Sequence, residues 1–437
     1  MSIQLGPING FSKLSKVEKI NLLSENYLSS KNGIKTLESF WHDDPEQQRV
    51  FDQFSENTIT NYFFPYGLCP NVLINDKLYL VPMVIEESSV VAAASKAAKF
   101  WLKRGGVKAE IIDTQKEGQV HFLWNGSETL INEIFELNKS KFIEVADLLS
   151  ENMKKRGGGL IDLRLVNKTS EVKDLYQIHA TFNTCDAMGA NFINTILEAF
   201  GKVLEDLTQD LKEEATIVMA ILSNYTPECR VKVSLECDIE QLDTIDSNMS
   251  GKEFAVKMKR AVDIANADVY RATTHNKGIF NGVDAVILAT GNDFRAVESC
   301  GHAYAARDGR YRSLTKCTID NNKFKFWIEL PIAIGTVGGL TALHPMAKIS
   351  LDMLGRPNAP ELMSIAAATG LLQNFAALRS LTTTGIQKGH MKMHLMNILN
   401  HLEANDSERE EAVSYFKDRV VSFQAVRDLL QKIRNYQ

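Results

Sequence analysis

The sequence predicts an α+β protein. A large mixed α/β domain built on a central helix is interrupted by a smaller ferredoxin-like β-α-β-β-α-β unit and followed by a helical C-terminal flap. Three observations predict it. Hydrophobic periodicity between residues 114 and 223 reads strand, helix, strand, strand, helix, strand. The flanking stretches carry amphipathic helices together with isolated strands. The last fifty or so residues are charged and helical, and Gly385 and Gly389 stand at their junction with the rest. The expected division is 1–113 and 224–383 for the large domain, 114–223 for the insert and 384–437 for the flap.

Residues 1–50 are polar and mixed, which predicts short helices. Phe63-Phe64-Pro65-Tyr66-Gly67 reads as a turn, and Asn71 to Pro82 alternates as strand. Ser88 to Arg104 predicts a helix, with Val90, Val91, Ala94, Ala97, Ala98 and Trp101 on its apolar face and Gly105-Gly106 ending it. In the insert, Gln119–Trp124 is a strand and Glu128–Lys154 a helix broken by Gly157-Gly158-Gly159. Leu160–Val166 and Asp174–Phe182 are strands, Ala190–Leu211 is a helix and Thr216–Leu222 a strand. Beyond it come a strand at Arg230–Cys237 and helices such as Gly251–Ala267 and Ala359–Leu378. Ser407-x-x-Glu410 suits a capping box.

The totals narrow the function. A chain of 437 residues with 44% hydrophobic and 24% charged residues is an ordinary globular protein. A net charge of -5 argues against nucleic acid as the main partner. No apolar run approaches the roughly 18 residues of a membrane span, and no secretory signal is visible, so a cytoplasmic location is expected. The 6 cysteines are scattered without C-x-x-C, the pattern of reduced thiols.

The densest chemistry lies in Arg271-Ala272-Thr273-Thr274-His275-Asn276-Lys277-Gly278-Ile279-Phe280-Asn281-Gly282, followed by Gly291-Asn292-Asp293. A guanidinium, an imidazole, carboxamides and an ammonium suit an anionic, carbonyl-bearing substrate with a cation held against its oxygen. Asp186-Ala187-Met188-Gly189-Ala190-Asn191 precedes a helix, where free N–H groups hold a phosphate or carboxamide, or else Asp186 simply caps the turn. Glu86-Glu87-Ser88-Ser89 supplies either helix caps or a general acid. His390 and His394 sit four apart without the central glutamate of a zinc motif, so no metal is expected. No G-x-G-x-x-G or Walker loop is present; Gly335-x-x-Gly338-Gly339 lacks the spacing.

Together these pieces resemble 3-hydroxy-3-methylglutaryl-coenzyme A (HMG-CoA) reductase of the soluble, bacterial-type class II form. The matching segments are Glu86-Glu87-x-Ser89-Val90-Val91-Ala92-Ala93-Ala94-Ser95, Asp186–Asn191, Arg271–Gly278, Ala289-Thr290-Gly291-Asn292-Asp293, Gln373-Asn374 and Gly385-Ile386-Gln387-x-Gly389-His390-Met391, in family order. The resemblance implies reduction of the thioester HMG-CoA to mevalonate and free CoA by two NAD(P)H, with NADH and NADPH not distinguished. It implies that Lys277 polarises the carbonyl and stabilises each oxyanion, that Glu87 exchanges protons there, that Asp293 hydrogen-bonds both, and that His390 protonates the departing CoA thiolate. Ser89, Arg271, Asn281 and Asn374 would hold the hydroxymethylglutaryl group. Asp186, Met188, Gly189, Asn191 and Asn224 would line the nucleotide site. The insert would then be the small nucleotide-binding domain, the flanking segments the substrate domain, and the tail a flap excluding water. Family members are homodimers with the site at the subunit interface.

Ser88 stands where the family usually has proline, Thr60 where it has glycine, and Ala342 where it often has lysine. Two other readings of the same residues are a lyase using Lys277 as a Schiff-base amine and a non-catalytic CoA-binding homologue. The joint presence of Glu87, Lys277, Asp293 and His390 speaks against the second.

Overall fold

A computed structural model describes residues 7–28, 32–243, 245, 249–383, 395–417 and 419–435. The chain divides into two compact units, Met1–Pro65 and Tyr66–Gln437. The first holds α1 (Lys16–Asn26), α2 (Gly33–Glu38) and α3 (Pro45–Asp52). Ser15 and Glu18 form a capping box on α1, and Asp44 caps α3 ahead of Pro45. Lys16 pairs with Asp52 at 2.8 Å and ties α1 to α3.

The second unit begins with a hairpin, β1 (Tyr66–Ile74) and β2 (Lys77–Val84). The alternation over Asn71–Pro82 therefore covers two strands, not one. The two residues between them, Asn75 and Asp76, both have positive φ (46° and 67°), as a type I′ turn demands. Next come α4 (Val90–Leu102) and β3 (Lys108–Ile111), then the inserted β4 (Lys116–Trp124), α5 (Glu128–Leu149), α6 (Glu151–Lys154), β5 (Gly159–Asn167), β6 (Leu175–Asn183), α7 (Ala190–Thr208) and β7 (Ala215–Leu222). These four strands form an antiparallel sheet of order β5-β6-β4-β7. In order of appearance that is second, third, first, fourth, the ferredoxin-like order the periodicity predicted. Phe122, Trp124, Phe135, Phe142, Phe182 and Phe200 fill a core of its own between this sheet and its helices.

The chain then returns to the large sheet through β8 (Arg230–Asp238), α8 (Gly251–Ala267), α9 (Val269–Ala289), α10 (Phe294–Ala305), β9 (Thr315–Asp320) and β10 (Lys323–Pro331). That sheet has the order β3-β8-β10-β9, antiparallel throughout. After α11 (Gly339–Leu343) and α12 (Pro345–Met353), α13 (Ala359–Thr382) runs through the protein interior. It is buried on every face over most of its length, which marks it as the central helix of the core. Trp101 of α4 packs against Phe375 of α13 at 5.3 Å between rings.

A close crossing of α9 and α13 positions the polar residues described below. A Cβ on Gly282 would lie 2.7 Å from the Thr369 carbonyl and 3.0 Å from the Gly370 Cα. A Cβ on Gly370 would lie 2.6 Å from Val283. Only glycines allow this approach, because the opposing atoms at Gly282 are mostly backbone and cannot rotate away. Gly282→Ala is expected to destabilise the fold by about 1–3 kcal/mol, read as a lower denaturation midpoint; an unchanged midpoint would refute the tight crossing.

The C-terminal part has a separate small core, with Leu399, Ala412, Val426 and Leu430 at its centre. It comprises helical residues 395–401 (α14), α15 (Asp406–Tyr415) and α16 (Phe423–Asn435). The capping box on α15 is Asn405 with Glu408, not Ser407 with Glu410. The Asn405 carboxamide competes for the same turn and starts it two residues earlier. No described helix is long and apolar enough to cross a membrane.

Candidate active site

The Arg271–Gly282 segment lies wholly within α9. Its polar residues divide by helical face. His275 and Asn276 point inward and are buried. The Asn276 carboxamide donates to the Arg312 carbonyl at 2.8 Å and accepts from the Leu314 amide at 3.0 Å, which fixes the loop entering β9. His275 Nε2 meets Thr315 Oγ1 at 2.5 Å, and Thr315 donates onward to Asn374 Oδ1 at 3.2 Å. Burial first, then the Arg271 charge, lowers the His275 pKa to about 3, so this imidazole is neutral scaffold.

The other face carries Lys277 and Asn281, one turn apart. Lys277 Nζ is hydrogen-bonded to Glu87 Oε2, and Asn281 Nδ2 donates to the same oxygen at 3.4 Å. Glu87 comes from the turn between β2 and α4. That turn departs from the expected cap: α4 starts at Val90, not Ser88, and its N-cap Ser89 has φ 75° with no side-chain cap bond. A non-glycine residue in this left-handed conformation costs about 1–3 kcal/mol and persists only where its surroundings impose it.

Asn374 of α13 approaches from beneath. Its Nδ2 donates to the His275 carbonyl at 3.3 Å. A Cβ on Gly278 would meet only this Nδ2, at 4.0 Å, so open space lies between Asn374 and the Lys277 turn. Arg271, two turns earlier on α9, is half-buried, and burial lowers its pKa. No hydrogen bond or ion pair engages its guanidinium among the described residues, which leaves it available to an anionic group.

One expected partnership differs. Asp293 does not hydrogen-bond Lys277 or Glu87. It caps α10, accepting from the Arg295 and Ala296 amides at 3.0 and 3.2 Å, and chelates the Arg295 guanidinium at 3.0 Å. Position two of the new helix brings Arg295 back over its own cap, a local contact that outcompetes a distant one. His390, with Gly385, Gly389 and His394, lies outside the described residues.

The Asp186–Asn191 loop lies at the junction of the insert and the large sheet. Asp186 does not cap α7; its Oδ1 accepts from the Ala359 amide at 2.8 Å, at the start of α13. Gly189 (φ 91°) is the N-cap of α7, without a side-chain cap, and Asn191 lies in its exposed first turn. Gly335 packs on this loop so closely that a Cβ would lie 2.5 Å from the Met188 amide nitrogen. The Thr336 amide donates to the Asp186 carbonyl at 2.8 Å, and the Gly335 amide donates to Asn292 Oδ1 at 2.9 Å. Asn292 thus joins the Asp293 turn to the Asp186–Met188 loop. Met188 and Asn224 line one narrow cleft with Lys116.

Sequence reasoning passed over Lys116, Asn292 and Gly335 as working residues, and also Asp284. Asp284 lies one turn beyond Asn281 beside Glu298 of α10; burial, then the Glu298 charge and hydrogen bond, raises its carboxyl pKa far above the ordinary range. The glycines after β10 were the available signal for Gly335, though they were read only against nucleotide-loop spacings.

Comparison with known proteins decides the family. Residues 18–395 match the family model of hydroxymethylglutaryl-coenzyme A reductase. The chain belongs to the hydroxymethylglutaryl-coenzyme A reductase family. Its activity is therefore that of an oxidoreductase acting on HMG-CoA. The 3-hydroxy-3-methylglutaryl-coenzyme A reductase of Archaeoglobus fulgidus is 35% identical over 98% of this chain and 95% of its own length. A probable reductase of the same name from Borreliella burgdorferi is 32% identical over 99% and 98%. The class II reductase from Streptococcus pneumoniae, solved bound to NADPH in open conformations, superposes with a TM-score of 0.72 at 40% identity, covering 86% of this chain and 99% of that one. Among the described residues no group of three or more His, Cys, Asp or Glu could hold a metal.

Proposed function

We propose that this reductase converts HMG-CoA to mevalonate and free CoA with two NAD(P)H, using the constellation centred on Lys277. The contact of Lys277 and Asn281 with one oxygen of Glu87 carries the reading. It puts a cation, a neutral donor and a carboxyl group around one point on an accessible face. Lys277 polarises the thioester carbonyl and stabilises the oxyanion, and Glu87 supplies the proton to that oxygen. Arg271 engages the free carboxylate of the acyl group, and Ser89, Asn281 and Asn374 hold the rest of the hydroxymethylglutaryl group. Asp293 tunes the Lys277–Glu87 pair, a role that requires Arg295 to yield its place. His390 protonates the CoA thiolate as it leaves; an imidazole with a reference pKa of about 6.5 donates readily to a thiolate of about 8.5.

The residues assigned to the nucleotide suit it. The first turn of α7 has no side-chain cap, so its N–H groups remain for an anion or carboxamide, and Gly189 lets the ligand approach the backbone. The bound nucleotide supplies hydride. Asp186, Met188, Gly189, Asn191 and Asn224 orient it from the insert, the nucleotide-binding domain, and residues 384–437 close over the site as a flap. The working form is a cytoplasmic homodimer, or a larger assembly of dimers, with the site at the subunit interface; light scattering on the purified protein gives its mass directly.

Two tests bear on this scheme. Nucleotide oxidation should depend on HMG-CoA and release one CoA for every two nucleotides consumed; any other ratio would count against it. Gly335→Ala should displace the Met188 backbone, raising KM for nucleotide several-fold with little change in KM for HMG-CoA. An equal rise in both would disconnect Gly335 from the nucleotide.

A further inference from the structure

The central helix carries a polar residue beside Asn374 that the scheme above does not use. Gln373 is only 6% exposed, and the residues around it on α13 (Leu371, Leu372 and Phe375) are buried and apolar. Its Oε1 is buried without a hydrogen-bond partner among the described residues. Its Cβ is pressed against α9: a Cβ built on Gly282 would lie 2.9 Å from it. Gly282 follows Asn281 and stands one turn after Gly278 on the same face of α9. Gln373 therefore sits at the α9–α13 crossing, adjoining Asn374 along one helix and packed on the neighbour of Asn281 along the other. Both asparagines are assigned to the acyl group.

Packing alone does not require an amide here. A buried polar group left without a hydrogen bond is destabilising, and methionine or leucine would fill a similar volume at no such cost. The position therefore points to a polar partner that is not part of the described chain. The N and O ends of a carboxamide are told apart only by their partners, so that partner must suit either. On the acyl group of HMG-CoA the carboxylate and the thioester carbonyl accept hydrogen bonds only, and the scheme gives them to Arg271 and Lys277. The tertiary hydroxyl both donates and accepts, so it suits the amide in either orientation.

We propose that Gln373 hydrogen-bonds the 3-hydroxyl of the acyl group and so makes the enzyme select 3-hydroxyacyl over 3-deoxyacyl thioesters. This rests on the acyl-site reading given above. The selectivity has an asymmetric origin. A substrate with the hydroxyl completes the amide, whereas an analogue without it desolvates the amide and leaves it unpaired. A site built to pair a hydroxyl therefore rejects the deoxy analogue by more than the loss of one contact. The same bond holds C3 still while the carbonyl two bonds away is reduced.

The test is the dissociation constant of the full chain for HMG-CoA and for 3-methylglutaryl-CoA, which lacks only the hydroxyl. Titration calorimetry gives both values in wild type, Gln373→Met, Gln373→Leu and Arg271→Met. Wild type should bind HMG-CoA about tenfold or more tighter than the deoxy analogue. In both Gln373 variants that preference should fall about tenfold, through weaker HMG-CoA with the analogue bound as well as before or better. A general disturbance of the pocket weakens both ligands alike, so an unchanged preference in either variant overturns the proposal and leaves Gln373 a packing residue. Wild type supplies a check that needs no variant to fold: a preference below about threefold overturns the proposal too. Arg271→Met checks the reading beneath it. It should weaken both acyl-CoAs together and keep their ratio, and indifference of both would show that the acyl group binds elsewhere.

Discussion

Replacing Lys277 by alanine is expected to lower kcat by about 10³-fold or more while leaving the melting temperature nearly unchanged. Removing one neutral donor to a developing oxyanion costs about 10²–10³ in kcat; a cation placed directly on that oxygen is worth at least as much. Stability should be indifferent for a reason visible in the geometry. Lys277 and Glu87 are 59% and 40% exposed, and an ion pair so hydrated contributes no more than about 1 kcal/mol. The fold does not need this contact, but the chemistry does. The checks are a nucleotide-oxidation assay and a thermal melt on the same preparation. A variant with near-normal turnover would sink the mechanism, and one that melts much earlier would show the pair to be structural. Borohydride trapping of substrate on wild-type Lys277 would instead revive the Schiff-base reading.

The second large effect is a loss of stability in mild acid, centred on His275. Its Nε2 faces Thr315 Oγ1, and Thr315 in turn donates to Asn374. That direction of donation places the imidazole proton on Nε2. Nδ1 is then buried with no hydrogen-bond partner. Protonation would put a charged N–H there against no acceptor; burial first, then the nearby Arg271 guanidinium, lowers the folded-state pKa to about 3. The unfolded chain titrates near 6.5. Between those values the unfolded state binds the extra proton, so stability is whole above about pH 6.5 and declines as pH falls towards 3. At pH 5 the loss amounts to about 2 kcal/mol. Denaturation midpoints at pH 7 and pH 5 should therefore converge in His275→Asn relative to wild type. Parallel declines in the two proteins would remove His275 as the cause. Because Asn374 hangs on the same hydrogen-bond chain, acid should also loosen its contact with α9 beside Gly278.

Much of this architecture was legible along the chain. In the insert, strand alternation and a strong apolar stripe on α7 agree with one another at every element, and the sheet order follows. The hairpin of β1 and β2 was not legible, because its turn is a single Asn75-Asp76 pair inside a continuous alternation. Nor does Arg271–Gly282 advertise a helix: Thr273, Thr274, Gly278 and Gly282 are all poor helix formers. Packing against α13 overrides that weakness, and two of the weak residues serve it. Gly282 permits the close crossing and Gly278 leaves the space beside Asn374.

The sequence alone determined which groups are available: an ammonium, carboxylates, carboxamides and a guanidinium in recognisable order. It also determined the type and approximate extent of nearly every long element, because periodicity is a local property. Only the tertiary structure decided partnership. It gave Glu87 to Lys277, turned Asp293 towards Arg295 and made His275 an interior strut. It also buried Lys116 beside Met188 and Asn224, hydrogen-bonded to Thr184 and Ala187. The reason is range. A hydrogen bond or a desolvated charge depends on atoms within a few ångströms, and those atoms come from segments up to hundreds of residues apart.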